Sequence, residues 1–543
     1  MATRFCSRHS IWFPSIVAFF ISLQALSAQT PATLHGRIID ADTRQLIPAR
    51  LYLESDSGEF HLAQSVGGAA VPYEKRRREV EEVHTSLSAH PFEASLPPGT
   101  YHLTVERGKE YLPNTQTITL EEGETSITIP LKRWINMNDA GWFSGETHVH
   151  RPLSELRTLM LCEELNVALP LTAWVRGAED SPLKNNLNPE LVLNRDLIEV
   201  DPTHVIWPLN TEYEITEVAG ERHPLGALFI LNHKKPLDLS APPVGPVVKE
   251  ARKQGAILDL DKHNWPWSMM LVPTAGVNLF QLTNNHLWRA DFVFSSFFPD
   301  YVPEYMDVEH EDGLITERGW IDYGFQTYYA LLNCGFDIMP SAGTASGVHP
   351  VPFGFGRVYV KLDGEFDYDS WIDGLKKGYS FVTTSPMLNV TYNGQGPGKR
   401  ISGSDGKAVK VRIQGWVRSP DPIDSVEIIQ NGDVVHTLPG VGTAEAGVYS
   451  QEIDLWIEVT DSSWLAVRSF AQWKNNRPRF AHSAPVFVDL PGKSLRPRTV
   501  EVEYLLKRAE EEITRHTGVL SKDAVDEFRA AAETYRELLE IAR

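Results

Sequence analysis

Residues 145–150 read GETHVH, and what they form decides how the middle of this chain folds. On a β-strand, residues two apart point the same way. Glu146, His148 and His150 are therefore expected on one face of a strand, with Thr147 and Val149 on the other. Two imidazoles converging at a strand end suit a divalent metal, because neutral imidazole is a good ligand for zinc, manganese or iron. An HxH pair by itself is only a moderate signal, since two histidines can alternate without binding anything. Its weight comes from its company further along the chain.

That company is spaced at strand ends. Residues 210–231 read NTEYEITEVAGERHPLGALFIL, with Glu212 and Glu214 on one strand face and His223 opening the next strand. Residues 255–267 read GAILDLDKHNWPW, in which Asp259, Asp261 and His263 alternate onto one face. His349 lies in SAGTASGVHPVPFGFGRVYV, residues 341–360. Strand-like runs at 227–231, 256–261 and 357–360 alternate with helix-like runs at 154–165 and 370–377. Ser370 is a cap for the latter helix and Gly378 its stop. Over residues 134–386 this alternation predicts an α/β barrel, a fold that gathers carboxylates and histidines at successive strand ends.

The flanks read differently. Residues 30–133 hold short β-branched runs separated by Gly, Pro and Asp, the pattern of a sandwich. The stretch LPPGTYHLTVERG, residues 96–108, resembles carboxypeptidase-regulatory-like domains. Residues 60–90, rich in charge, are expected as a solvated loop or short helix. Residues 387–490 read as a second, Ig-like sandwich with a hairpin turn at Asn431-Gly432. Residues 495–543 read as a helical tail. Its second helix starts at Ser521 and carries Val525, Phe528, Ala532, Tyr535 and Leu539 on one stripe that docks on the body.

Composition bounds the function. The 543 residues carry a formal net charge of −20, which argues against nucleic acid as a partner. Arg4, Arg8 and His9 precede an apolar run from Ile11 to Leu23 and the small residues 25–28. This order predicts a signal peptide over residues 1–28 and export to the periplasm or the extracellular space, with no membrane insertion after cleavage. The apolar run is too short for a span of about 20 residues. Cys162 and Cys334 remain beyond it, as one bridge or as two buried thiols, and neither has CxxC spacing. No GxSxG or Walker pattern is present. His204, His286 and His310 are read as structural or surface residues, and His482 as packing at a domain seam.

Residues 141–386 resemble the polymerase-and-histidinol-phosphatase (PHP) superfamily, and within it the CehA/McbA-type metallohydrolases. The residues that carry the resemblance are WFSGETHVH (142–150), GAILDLDKH (255–263), LLNCGF (331–336) before SAGTAS, GRVYV (356–360) and GLKKGYSFVTTSPML (374–388). The resemblance implies a distorted (β/α)7 barrel between the two β-sandwiches, holding one to three divalent ions. It implies His148, His150, Glu212, His223 and His263 as ligands. Glu214 is left open beside Glu212, and Asp259, Asp261 and His349 are further candidates. It implies hydrolysis of a phosphoester or of a carboxylic or carbamate ester of a small molecule, by a metal-bound hydroxide. Apart from the resemblance, Arg176, Lys262 and Arg289 are candidates to neutralise an anionic substrate. One departure stands out: where the family carries a ligating aspartate after Gly343-Thr344, this chain has Ala345, and Gln281 stands where an acidic residue is expected. The rival reading is a catalytically degenerate barrel that binds a ligand such as an extracellular polysaccharide.

Overall fold

The structure, a computed structural model, describes residues 31–543 apart from 189–191, 194–195, 263, 297–301 and 405–406. The leader expected over residues 1–28 and the candidate ligand His263 lie outside the described residues.

Two sheets face each other near the N-terminus. One is ordered Gly123–Leu131, Ala32–Asp40, Phe92–Leu96, Gln64–Ser65; the other Ala70–Arg77, Val80–Leu87, Ala49–Ser55, Gly99–Glu106, Asn114–Leu120. Alternating residues such as Leu34, Leu51, Leu53, Phe92, Leu103 and Ile129 fill the space between them. At Gly36 a Cβ would lie 2.0 Å from the Phe92 ring, so the ring takes the room that any larger residue there would need. The charged stretch 60–90 is neither loop nor helix. It contains a hairpin in which Ala70–Arg77 runs antiparallel to Val80–Leu87. Val71, Tyr73, Val80 and Val83 are buried while Glu74 and Arg76 to Glu79 are exposed, so the exposed charges hid the buried strand positions between them.

The middle of the chain mixes helices with two sheets. Strands Ala173–Gly177, Thr211–Val218, Glu221–Leu231, Ile257–Asp261, Leu279–Thr283 and Met339–Ala342 form one sheet in that order. The second runs Ile198–Asp201, His204–Ile206, Val167–Pro170, Trp142–Val149, Arg357–Lys361, Ser380–Thr383. The sheets abut along two lines. Strand Val167–Pro170 passes almost directly into Ala173–Gly177. On the other side the Ala345 N–H donates to His148 O at 2.8 Å and the His150 N–H to Ser346 O at 2.9 Å. The described strands thus make two abutting ladders and not one closed one. Several neighbours are parallel, including Trp142–Val149 beside Val167–Pro170 and Ile257–Asp261 beside Leu279–Thr283. Glu221–Leu231 is antiparallel to both of its neighbours.

Helix Leu153–Glu163 ends at Glu164, which takes a left-handed φ of 48°. Helix Tyr368–Lys377 ends at Gly378, with φ 74°, as expected, but its cap is Asp367, whose carboxylate accepts from the Ser370 N–H at 2.8 Å. Ser370 is one of the amide donors and not the cap.

The second sheet is not confined to residues before 387. Ser380–Thr383 pairs with Pro478–Ser483, so the second sheet continues through Pro478–Ser483, Ser463–Gln472, Ile423–Gln430 and Asp433–Val441. A three-stranded sheet, Met387–Tyr392, Val409–Ser419 and Tyr449–Val459, completes this region. Asn431 and Gly432, with φ 51° and 87°, make the expected tight hairpin turn. Helices Thr499–His516 and Lys522–Ile541 follow, the latter capped by Ser521. Val525, Phe528, Ala532 and Tyr535 are buried, and the Tyr535 hydroxyl donates to Met269 O at 2.8 Å, which docks the tail on helix Pro266–Ala275. Cys162 and Cys334 are both free and buried. Among the described residues no helix is long and apolar enough to cross a membrane.

His482 sits at the seam between the sheet and helix Glu317–Asn333. Its Nδ1–H donates to Ser483 O at 2.7 Å, and its Nε2 lies 2.7 Å from the Tyr329 hydroxyl, which donates to it when the ring is neutral. Burial pushes its pKa down to about 3. An unfolded histidine titrates near ~6.5. The folded protein therefore refuses a proton that the unfolded chain accepts, and this contribution is present above the unfolded value and is lost as pH falls toward the folded one. Between pH 7 and pH 4.5 wild type should lose roughly 2–3 kcal/mol more stability than His482→Gln, measured by urea denaturation. Equal losses in the two proteins would remove His482 as the cause.

Candidate metal centre

Strand Trp142–Val149 is buried along its whole length, so each of its polar side chains needs a partner. Glu146 accepts from the Thr344 N–H at 2.8 Å, from the Thr344 hydroxyl and from the Gly354 N–H at 2.6 Å. Burial raises its pKa to about 8 against those donors. Thr147 donates to Asp259 Oδ2 at 2.8 Å. The strict alternation expected of GETHVH breaks here. A register shift falls between Glu146 and Val149, and the consecutive residues Thr147 and His148 both reach Gln281.

At the end of this strand three side chains converge. One donor atom each from His148, His150 and Glu212 lie within 4.8 Å of one another, in a buried setting. His150 Nε2 is 3.1 Å from Glu212 Oε2 without the alignment of a hydrogen bond. Asp261 Oδ2 is 3.7 Å from His148 Nδ1, and Asp261 Oδ1 is buried with no hydrogen-bond partner among the described residues. Buried carboxylate oxygens without donors call for a cation. Burial, and after it the charge of Lys262, pushes His148 well below the usual histidine range, which keeps it in the neutral form a metal requires. Burial raises Glu212 above the ordinary carboxylate value, against the pull of His150. These residues could hold one divalent ion, and the donor set of two imidazoles and a carboxylate fits zinc, manganese or iron.

Gln281 orients the group. Its Nε2 donates to Asp259 Oδ2 at 3.2 Å, which turns Oε1 toward His148 Nδ1 at 3.3 Å. The His148 proton then sits on Nδ1 and the lone pair on Nε2. Asp259 is raised to about 6 by burial, against hydrogen bonds from Ser341, Thr147 and Gln281. It serves as the acceptor that fixes this chain of donors and is not itself in the group.

The remaining candidates are placed elsewhere. Glu214 separates from Glu212: it lies 3.7 Å from Lys262 Nζ and 3.9 Å from Arg176 Nε. His223 does not join the group. Its Nε2 meets His516 Nδ1 at 2.8 Å on the C-terminal helix, because the strand carries it away from His148 before turning back. His349 contacts the Arg77 guanidinium at 2.6 Å and Asn285 at 3.3 Å, and burial followed by the Arg77 charge pushes its pKa well below the usual range. Ala345 is buried and takes a left-handed φ of 52°. Arg289 pairs with Glu106 at 2.7 Å and does not line the cavity beside the group.

No protein-family model, curated protein or solved structure matches this chain. The site stands on its geometry alone. Beside it lies a cavity of about 490 Å³. Its walls carry Arg77, Arg176, Arg222, Lys262, Arg508 and Arg515 against two carboxylates, Glu214 and Glu512. Trp174, which lines it, packs on His150 with ring centroids 4.8 Å apart. Trp265 also lines the cavity, whereas Trp267 is core. Trp174, Arg77 and the helix residue Arg515 carry no local sequence signal; only the run of arginines at 76–78 hints at one of them.

Gln281→Leu should lower the affinity for zinc or manganese by about 10–100-fold while leaving the fold intact, as loss of an orienting partner does elsewhere. Competition against a chelating dye measures it; an unchanged affinity would show that His148 needs no such partner.

Proposed function

We propose that this chain is an exported, metal-dependent hydrolase of the PHP type, acting on small anionic esters and on phosphoesters foremost. The two abutting sheets are then a distorted (β/α)7 barrel. The observation that carries the reading is the convergence of His148, His150 and Glu212 beside a cavity with six cationic side chains and two carboxylates. A chain of net charge −20 that gathers cations in one cavity is built to receive an anion there. A phosphoester fits that field better than a neutral carboxylic or carbamate ester.

When bound, a divalent ion supplies Lewis acidity and a water acidified to a pKa of about 7. The chain supplies the rest. His148 and His150 offer neutral imidazoles and Glu212 the negative charge. Trp174 covers one side of His150, and Arg176, Arg222 and Arg515 hold the anionic part of the substrate in the cavity. Residues 1–28 supply the export signal.

Ala345 favours a second reading, a binding protein that keeps the cavity but has lost the chemistry, with an anionic glycan as its ligand. Elemental analysis of the mature protein, paired with turnover assays on phosphomonoesters, phosphodiesters and aryl esters, separates the two. The hydrolase reading expects bound zinc, manganese or iron and turnover of a phosphoester. His148→Ala combined with His150→Ala should abolish both metal and turnover while far-UV circular dichroism stays unchanged. Metal without turnover on any class would favour the binding protein. Metal content unchanged in the double variant would reject the site.

A further inference from the structure

The metal site proposed above has a neighbour that the chain itself fills. Lys262 follows Asp261 at the end of strand Ile257–Asp261 and takes a left-handed φ of 58°, a conformation that L residues rarely adopt. That turn leads its side chain into a nest of carboxylates. Its Nζ lies 2.5 Å from Asp261 Oδ2 and 3.7 Å from Glu214 Oε1. Lys262 is 6% exposed at its side chain, Asp261 0% and Glu214 15%, so water screens this cluster poorly. The same Asp261 Oδ2 lies 3.7 Å from His148 Nδ1, which puts one carboxylate between an imidazole of the metal group and the ammonium.

We propose that the Lys262 ammonium stands in for a second divalent ion beside the His148–His150–Glu212 site, so that the site is built to hold a single ion. The inference rests on the reading of that group as a metal site. Charge balance supports it. Glu212, Glu214 and Asp261, the carboxylates that lie beside the metal group and the ammonium, bring three negative charges, and one divalent ion with one ammonium neutralises those three, while Asp259 is engaged by Ser341, Thr147 and Gln281. A second divalent ion added to these would leave two uncompensated positive charges where desolvation is costly. Arg176 is 3.9 Å from Glu214 but 40% exposed, so solvent screens its share. The donor set agrees as well: Asp259 is taken up by Ser341, Thr147 and Gln281, and Asp261 and Glu214 are the two carboxylates that the ammonium meets. Burial works against the charged lysine, yet Asp261, Glu214 and Glu212 outweigh it and hold its pKa above the usual lysine range.

The test is metal stoichiometry. Full-length mature protein is stripped with chelator, dialysed against manganese and analysed for metal per chain, with electron paramagnetic resonance to separate isolated from spin-coupled manganese. Wild type should bind one equivalent with an isolated-ion spectrum. Lys262→Ala, which removes the ammonium and leaves room, should rise to two equivalents with a coupled spectrum. Lys262→Gly is the companion variant, since glycine accepts the left-handed backbone and keeps the fold if alanine does not. Two or more equivalents in wild type would overturn the inference and leave the metal site standing. One equivalent or fewer in folded Lys262→Ala or Lys262→Gly would overturn it too. No metal in wild type would remove the site and the inference together.

Discussion

The organisation of this protein depends on one constraint: a strand buried on every side that nonetheless carries polar side chains. Trp142–Val149 has a parallel neighbour on one edge and an antiparallel one on the other. Each polar group on it must find a partner inside the protein. The Ser144 hydroxyl donates to Glu164 O at 3.0 Å, and its N–H donates to Asn166 Oδ1 at 2.8 Å. Glu146 gathers the backbone of Thr344 and Gly354, which ties down the loop after Met339–Ala342. Thr147 and Asp259 join the strand to the opposite sheet. With those partners set, the positions of His148 and His150 follow with little freedom. Such pre-organisation is what a metal site needs, because ligands that must be ordered on binding cost affinity.

The N-terminal sandwich takes part in this arrangement. Tyr73 donates to His349 O at 2.5 Å and accepts from the Gly347 N–H at 3.0 Å, so the hairpin 70–87 props the same loop from outside. Deeper in the interface Arg50 pairs with Glu106 at 2.6 Å and with Glu163 of the central body, and Arg289 pairs with Glu106. Buried ion pairs of this kind contribute little net stability, because desolvation offsets their attraction. Breaking one partner, however, leaves a buried charge alone. The network therefore penalises any docking of the sandwich other than this one.

Local patterns were legible where the physics is local. His148 and His150 could be found because strand geometry repeats every two residues, and the Glu212–Glu214 pair because it stands on a strand of the same kind. The choice between Glu212 and Glu214 was not legible, since the two share a face and separate only through the neighbours that each meets, His150 for one and Lys262 for the other. His223 misled for a related reason: its position at the start of a strand says nothing of which end of the sheet that strand begins from, and it faces His516 instead. The hairpin 70–87 was hidden because its exposed face is dense in charge. Whether the strands close into one ladder was not legible at all, because closure depends on pairings between residues far apart in sequence, such as Ala345 with His148.

The same distinction explains the contrast between the surface and the site. A count of charges describes the whole chain as acidic and says nothing about where its cations stand. Arg77 comes from the N-terminal hairpin, Arg176 and Arg222 from the central sheet, and Arg515 from the C-terminal helix. Residues from three separate parts of the chain thus meet around one cavity. Gathering like charges in a confined space is unfavourable unless something compensates them. Here Glu214 and Glu512 offset part of it, Asp261 pairs with Lys262 at 2.5 Å, and Glu511 stands 3.7 Å from Arg508. The excess of cations over carboxylates on these walls thus comes from strands and helices far apart in the sequence, an arrangement that no local pattern of charge along the chain could announce.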